Sequence, residues 1–339
     1  MLRFLTVSGF VAAVAISTAR ADTILVPADH GTIQGAIDAA APGDEIFVSR
    51  GRYEEALVLD EKSGISIRGR GKVTVDAGGA ATSLTVIDST GVTVERLSFE
   101  GTSGDGARIV LSDAVTLVRC RFVGALEDGI HVERCTNVLI ERCSVDRCFE
   151  DGIEFDDDLL GAPANSTAVR NKIRRTGDDG IEVGGSEHLV ERNRISRSGN
   201  TGVFVEGSDN DVVRNVIAQM SDEGIQFRGD RNRAEKNRIR GVGDDGIDIE
   251  GDENLLVGNR IAGADDDGIE IEPELGLTAT GNVLERNRIS RAEGSGIHLF
   301  SGGNTLTKNV ARGSDEFDLL DEAGGNTLDG NRFGTQSVP

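Results

Sequence analysis

Apolar and polar residues alternate along most of this chain in short runs. Gly246-Ile247-Asp248-Ile249-Glu250 is typical: two isoleucines point one way, and Asp248 and Glu250 the other. A period of two is the mark of a β-strand with one buried face. Asn254-Leu255-Leu256-Val257-Gly258-Asn259-Arg260-Ile261 adds further short strands, and no segment of the unit carries a helical stripe. The same pattern returns at a fixed interval. Asn recurs at 171, 193, 215, 237, 259, 287, 309 and 331, mostly 22 residues apart and once 28. Gly followed by Ile or Val recurs at 129, 152, 180, 202, 224, 246, 268 and 296 with nearly the same spacing. Two independent markers with one period define a structural repeat.

A unit of this size cannot bury its own apolar face. Stacking on its neighbours solves that, so the pattern predicts an all-β solenoid whose coils are spaced ~4.8 Å apart, as strands are in a sheet. The Asn residues should stack at a turn, bonding one another and the bent backbone, and Asn tolerates the left-handed conformation such turns use. A second stack is expected five residues earlier, at Asn210, Asn232, Asn254, Asn282, Asn304 and Asn326.

These features resemble the right-handed parallel β-helix of the pectin-lyase-like superfamily, over about residues 90–332. The opening Thr32-Ile33-Gln34-Gly35-Ala36-Ile37-Asp38-Ala39-Ala40, then Pro42-Gly43-Asp44-Glu45-Ile46-Phe47-Val48, looks like that superfamily's entry. The resemblance implies a short amphipathic helix that caps the first coil within about residues 22–60 and hides an open sheet edge. It implies a fold more than an activity, because such folds carry lyases, hydrolases, epimerases, esterases and non-enzymes. Two units of 28 residues place extra chain at 156–165 and 272–281, after the Gly-Ile strand in both cases. Such insertions map to loops on one face.

Met1-Leu2-Arg3, the apolar run to Ile16 and Ala19-Arg20-Ala21 read as an export signal cleaved after residue 21, leaving one domain over 22–339. No later run is long enough to span a bilayer. The mature chain is therefore expected in the periplasm or outside the cell, without membrane insertion and as a monomer. The 339 residues carry 58 acidic and 36 basic side chains, for a net charge of −22. That field repels nucleic acid, whose phosphates need Lys and Arg. Cys120, Cys135, Cys143 and Cys148 are close in sequence, so disulfides are allowed; Cys120 and Cys143 should stack one coil apart.

Candidate chemistry falls on the outward side of the Gly-Ile strands. One column reads His131, Glu154, Glu182, Phe204, Gln226, Asp248, Glu270, His298, and a second includes Glu206, Arg228, Glu250 and Phe300. Acidic turns precede the strands, including Asp178-Asp179, Asp222-Glu223 and Asp244-Asp245. Arginines gather instead beside the Asn stack. Carboxylates stacked one strand apart repel. Solvent, salt and nearby Arg would screen them, or Ca²⁺ would bridge them, through Glu154, Asp178, Asp179, Asp222, Glu223, Asp244, Asp245, Asp248 and Glu270. The resemblance further implies a groove for an acidic polysaccharide, with Ca²⁺ neutralising a uronate and Arg or Lys as base. Arg228 is the candidate base, His131 and His298 are candidates for proton transfer, and Glu182, Phe204, Gln226 and Phe300 for substrate contacts. The Gly-His-Gly and Arg-Ile-Lys motifs of polygalacturonases and the Asp-Pro-His-Glu motif of alginate epimerases are absent. The regular repeat equally suits a non-catalytic carbohydrate-binding or structural protein of the cell envelope or surface.

Overall fold

The computed structural model describes residues 21–156, 165–273 and 278–339. The expected export signal lies outside them except for Ala21, as do the central parts of both insertions. The chain winds as a right-handed parallel solenoid with three short strands per coil. In one coil these are Ile247–Ile249, Leu255–Val257 and Arg260–Ala264. Every strand pairs in parallel with its counterpart one coil away, as Ile225–Phe227 does with Ile247–Ile249. Thirteen strands, from Leu57–Asp60 to Gln336–Ser337, form the face that carries the Gly-Ile strands. The other two faces join into a single sheet because Glu45–Glu54 and Ser66–Asp76 run on around the corner. Winding thus begins well before residue 90, where these long strands mask the short repeat.

The helix Ile33–Ala39 closes the first coil. The Thr32 hydroxyl accepts the N–H of Gly35, and the Glu55 carboxylate accepts those of Ile33 and Gln34, so its first turn is satisfied. Ile33, Ala36 and Ile37 are buried against the solenoid end.

Inside, like stacks on like. Ile173, Ile195, Ile217, Ile239, Ile261 and Ile289 lie in register and are buried. Both Asn stacks form. Each Asn Oδ1 accepts the backbone N–H of the Asn one coil before, at 2.8–2.9 Å from Asn193 to Asn237. Apart from that of Asn254, each Nδ2 donates to a carbonyl, as Asn237 does to Val212 at 2.7 Å. The left-handed residue is not the stacked Asn but the one before it, such as Arg192, Arg214 and Lys236 with φ of 57–59° or 56°. The Asn side chain must enter the ladder, so its neighbour turns the corner.

All four cysteines are buried and remain thiols, and no disulfide forms among them. Two take Asn places in the first ladder: Cys120 and Cys143 donate to the carbonyls of Val94 and Leu117, each at 3.4 Å. Cys135 belongs to a separate column with Ser89 and Ser112: its Sγ accepts the Ser112 N–H at 3.3 Å and donates to the Ile109 carbonyl at 3.4 Å. Burial pushes the Cys143 thiol well up, and the Cys148 thiol to about 12, so neither is poised as a nucleophile.

On the second face the last outward position runs Glu95, Val118, Glu141, Val169, Glu191, Val213, Glu235, Val257, Glu285 in register. A carboxylate never sits directly on a carboxylate there. Each glutamate pairs with a basic residue, and most with two or more: Glu191 with Arg192 at 2.9 Å and Arg214 at 3.0 Å, Glu141 with Arg142 and Arg170, Glu285 with Arg286.

The repeated glycines mark a close approach. A Cβ on Gly246 would sit 2.4 Å from both the Gly268 carbonyl oxygen and Ile261 Cγ2. Gly246→Ala should therefore cost about 1–3 kcal/mol as the coil is forced apart. A urea midpoint unchanged from the parent would contradict that packing.

Candidate functional site

The outward column of the Gly-Ile face is assembled as the alternation predicts. Strand pairing sets His131, Glu154, Glu182, Phe204, Gln226, Asp248, Glu270 and His298 side by side in that order. The column also extends to Arg108, paired with His131 and bonded to Glu133 at 2.5 Å. Arg228 is therefore not the sole base of this face. Gly106 is followed by Ala107 rather than Ile or Val, so the Gly-Ile marker does not flag that coil.

Behind the column the acidic turns divide into two roles. The inner acids Asp128, Asp151, Asp179 and Asp245 are buried and structural, whereas Glu223 is half-buried and accepts the Thr201 hydroxyl at 2.6 Å. Asp128 accepts the N–H of Asp151 at 2.8 Å, Asp151 that of Asp179 at 2.7 Å, and Asp245 that of Asp267 at 2.7 Å. The outer members Asp178, Asp222 and Asp244 are exposed or half-buried. The inner acids also reach the column side chain of the next coil: Asp128 hydrogen-bonds Glu154, Asp151 bonds Glu182, and Asp245 bonds Glu270.

Two carboxylates in one half-buried site cannot both ionise easily. Burial, reinforced by the Glu182 bond, pushes Asp151 up to about 10, and burial beside Glu270 takes Asp245 to about 11. Burial raises Asp179 to about 8 and Glu270 to about 7. Burial also raises Asp248 to about 8, although Gln226 donates to it at 3.0 Å and to Glu250 at 2.8 Å. Asp248 Oδ1 is buried without a partner.

The histidines relieve the same repulsion at either end of the column. His131 Nδ1 lies 3.1 Å from Asp128 Oδ2 and 2.7 Å from Glu154 Oε2. Burial opposes its charge, but these bonds outweigh burial and raise its pKa to about 10. His298 Nδ1 lies 2.7 Å from Asp267 Oδ2, and its ring centroid lies 3.9 Å from that of Phe300, the planes tilted by 35°. Seven coils separate the two rings, so they cannot serve one reacting bond.

At mid-column the Arg228 guanidinium lies 4.7 Å over the Phe204 ring, 3.4 Å from Glu250 and 3.7 Å from Glu206. The structure therefore brings Phe204, Gln226, Arg228 and Asp248 into one patch. Glu182 lies beside Phe204, while Phe300 sits apart with His298. Asp156 and Glu272 both stand at the end of this face's strands, so both insertions leave from one edge.

The donor set suits a hard cation. Oxygens of Asp151, Asp178 and Asp179 lie within 4.8 Å of one another, as do those of Asp128, Asp151 and Glu154. Carboxylates that otherwise retain protons are the ligands Ca²⁺ takes.

The family described as right-handed β-helix region matches residues 57–190 and 179–333. The chain belongs to that family. Among solved structures this β-helix is similar to a PL6-family polysaccharide lyase from Pseudopedobacter saltans, with a TM-score of 0.72 at 16% identity, covering 91% of this chain and 92% of that one. The A-module of a mannuronan C-5 epimerase from Azotobacter vinelandii gives 0.71 at 16%, over 91% and 94% of the two chains. The receptor-binding domain of the siphovirus 9NA tailspike gives 0.71 at 13%, over 93% and 75%. At these identities the likeness is one of fold. No curated protein matches the sequence significantly. No helix among the described residues is long and apolar enough to cross a membrane.

Proposed function

We propose that this β-helix is an exported, monomeric protein that binds an acidic polysaccharide along its Gly-Ile face with Ca²⁺ held by the acidic column, and cleaves it by a lyase-type elimination. The carrying observation is the patch in which Arg228 stands over Phe204 next to the proton-retaining acids Asp248 and Glu270. The reading draws support from the lyase and epimerase neighbours, whose titles name a polysaccharide and mannuronan.

Asp244, Asp245 and Glu270 would hold the ion beside this patch, and Asp178 and Asp179 a separate one with Asp151. The former would supply a positive charge that neutralises a uronate carboxylate and makes the adjacent ring proton more acidic. The Phe204 ring gives a sugar a flat apolar surface. Arg228 stands at the height of that ring; in its neutral form it would take the ring proton as the bond to the leaving glycosyl oxygen breaks and a ring double bond forms, and the departing oxygen would take a proton from water. Glu206 and Glu250 fix the direction of Arg228.

Incubation with polyuronates and Ca²⁺ should raise the absorbance of the unsaturated uronate product, and EDTA should abolish the rise. Arg228→Ala should lower the rate at least about 100-fold, as loss of a proton-transfer group does. A flat trace across alginate, polygalacturonate and glucuronan would remove the elimination. A second reading, a non-catalytic binding protein, is favoured by one observation: the same Asp–Glu pairing recurs from coil to coil instead of marking one exceptional coil.

A further inference from the structure

The third face, away from the acidic column, carries its own stripe of charge. The first outward residue of each strand there runs Arg194, Val216, Arg238, Arg260, Arg288, Val310, Arg332 in register. All five arginines are exposed. Among the described residues no ion pair reaches any of them.

The neighbouring face serves as an internal control. There the chain sets a glutamate beside basic residues in every second coil, so the fold readily supplies anions to stacked cations. Earlier coils of the third face do the same, with Asp146 pairing Arg175, but to this stripe the described residues supply no anion. Arg238, Arg260 and Arg288 lie on successive strands, ~4.8 Å apart, and repel one another as like charges on adjacent strands do. An external row of anions removes that repulsion.

The surface is shaped for one. Where adjoining coils carry Lys236 and Arg286, the corner residue is Gly258. The missing side chain opens a cavity of about 350 Å³ lined by those two residues with Arg238, Arg260 and Arg288. It adjoins a second cavity of about 660 Å³ bordered by Arg260, Arg288, Arg312 and Arg332. Lys236 and Arg286 keep their own partners, Glu235 and Glu285, and leave the three stacked arginines free.

We infer that this arginine groove is a second, Ca²⁺-independent binding site for a linear anionic polysaccharide bearing carboxylate or sulfate groups along its length. The strand spacing is close to the length of one pyranose unit, so successive sugar charges meet successive guanidiniums. Guanidinium pairs with either oxyanion in a planar, two-pronged contact. A rigid duplex is disfavoured by the acidic remainder of the chain, which repels polyphosphates over a Debye length. The site stands apart from the acidic column and does not depend on the activity proposed there.

The test is calorimetric titration of the mature chain in EDTA with three probes of matched length: an oligouronate, a sulfated oligosaccharide and a neutral oligosaccharide. One or both anionic probes should bind, with affinity falling as salt rises, and the neutral probe should not. Whichever anionic arm binds more tightly identifies the anion. The triple variant Arg238→Gln, Arg260→Gln, Arg288→Gln should weaken binding at least about tenfold while the melting temperature stays put, since the side chains are exposed. Val310→Arg, which fills a gap in the stripe, should tighten it several-fold. Binding by neither anionic probe overturns the inference, as does binding that survives the triple variant. Equal affinity for single-stranded DNA of the same charge overturns the polysaccharide assignment. EDTA silences the Ca²⁺-dependent column, so this result and the absorbance assay fail or succeed separately.

Discussion

Asn237→Ala should destabilise the solenoid by about 3–5 kcal/mol. The Asn237 carboxamide accepts the Asn215 N–H at 2.8 Å and its Nδ2 at 3.1 Å, and donates to Val212 O at 2.7 Å and Asn259 Oδ1 at 3.1 Å. The residue is fully buried. Alanine leaves a backbone N–H, a carbonyl and an amide donor without partners, and each buried orphan costs about 1–3 kcal/mol. Asn331→Ala, at the half-exposed last rung, should cost only about 1 kcal/mol because water replaces the lost bonds. Asn237→Cys should fall between them, since Cys143 makes the equivalent carbonyl bond through its thiol. Urea unfolding of the three variants measures the series. A loss of under about 1 kcal/mol for Asn237→Ala would show that the ladder does not hold the coils together.

Without a cation, the protein should become less stable as pH rises from about 4 to about 8, by at least about 2 kcal/mol. Asp179, Asp248 and Glu270 have folded pKa values of about 8, 8 and 7, well above those of unfolded carboxyls. Each binds more protons folded than unfolded across that window. Its stabilisation is complete below the unfolded value and is lost as pH rises through the folded value. His131, raised to about 10, acts in the same sense but fades at higher pH. The half-buried acids whose pKa values are lowered, such as Asp113 and Glu133, lose their contribution on acidification below the window. Ca²⁺ should reverse the loss at pH 8 and have much less effect at pH 5, because it must displace the retained protons. Urea midpoints at the two pH values, in EDTA and in Ca²⁺, decide the matter. A midpoint in EDTA that rises with pH, or a Ca²⁺ shift equal at both, would mean that the column is solvated and ionised without help.

The period and the alternation made the columns legible before any coordinates. Residue spacing alone set Glu154 beside Glu182 and Asp248 beside Glu270, because a solenoid converts sequence separation directly into strand pairing. Orientation within the turns was not legible. Asp178-Asp179 and Asp244-Asp245 look alike in sequence, yet only the second member of each turns inward to hold the next coil's N–H. The choice depends on backbone angles that the alternation does not encode. Cys120 and Cys143 were placed correctly one coil apart, but their role as thiol rungs of the Asn ladder follows from burial and a nearby carbonyl. The early coils were hidden because Glu45–Glu54 and Ser66–Asp76 cross a corner where later units break into two strands. Arg228 was identified as the basic residue of its column, whereas its place over Phe204 between two glutamates depends on side-chain reach across coils.

The alternation of Glu and Val on the second face limits how such a chain can lengthen. Duplicating one coil anywhere between Glu95 and Glu285 would set Glu against Glu, or Val against Val, and leave basic residues with the wrong count of partners. Duplicating two adjacent coils preserves the sequence of charges. The heritable unit of growth on that face is therefore a pair of coils, twice the unit that the hydrophobic interior recognises.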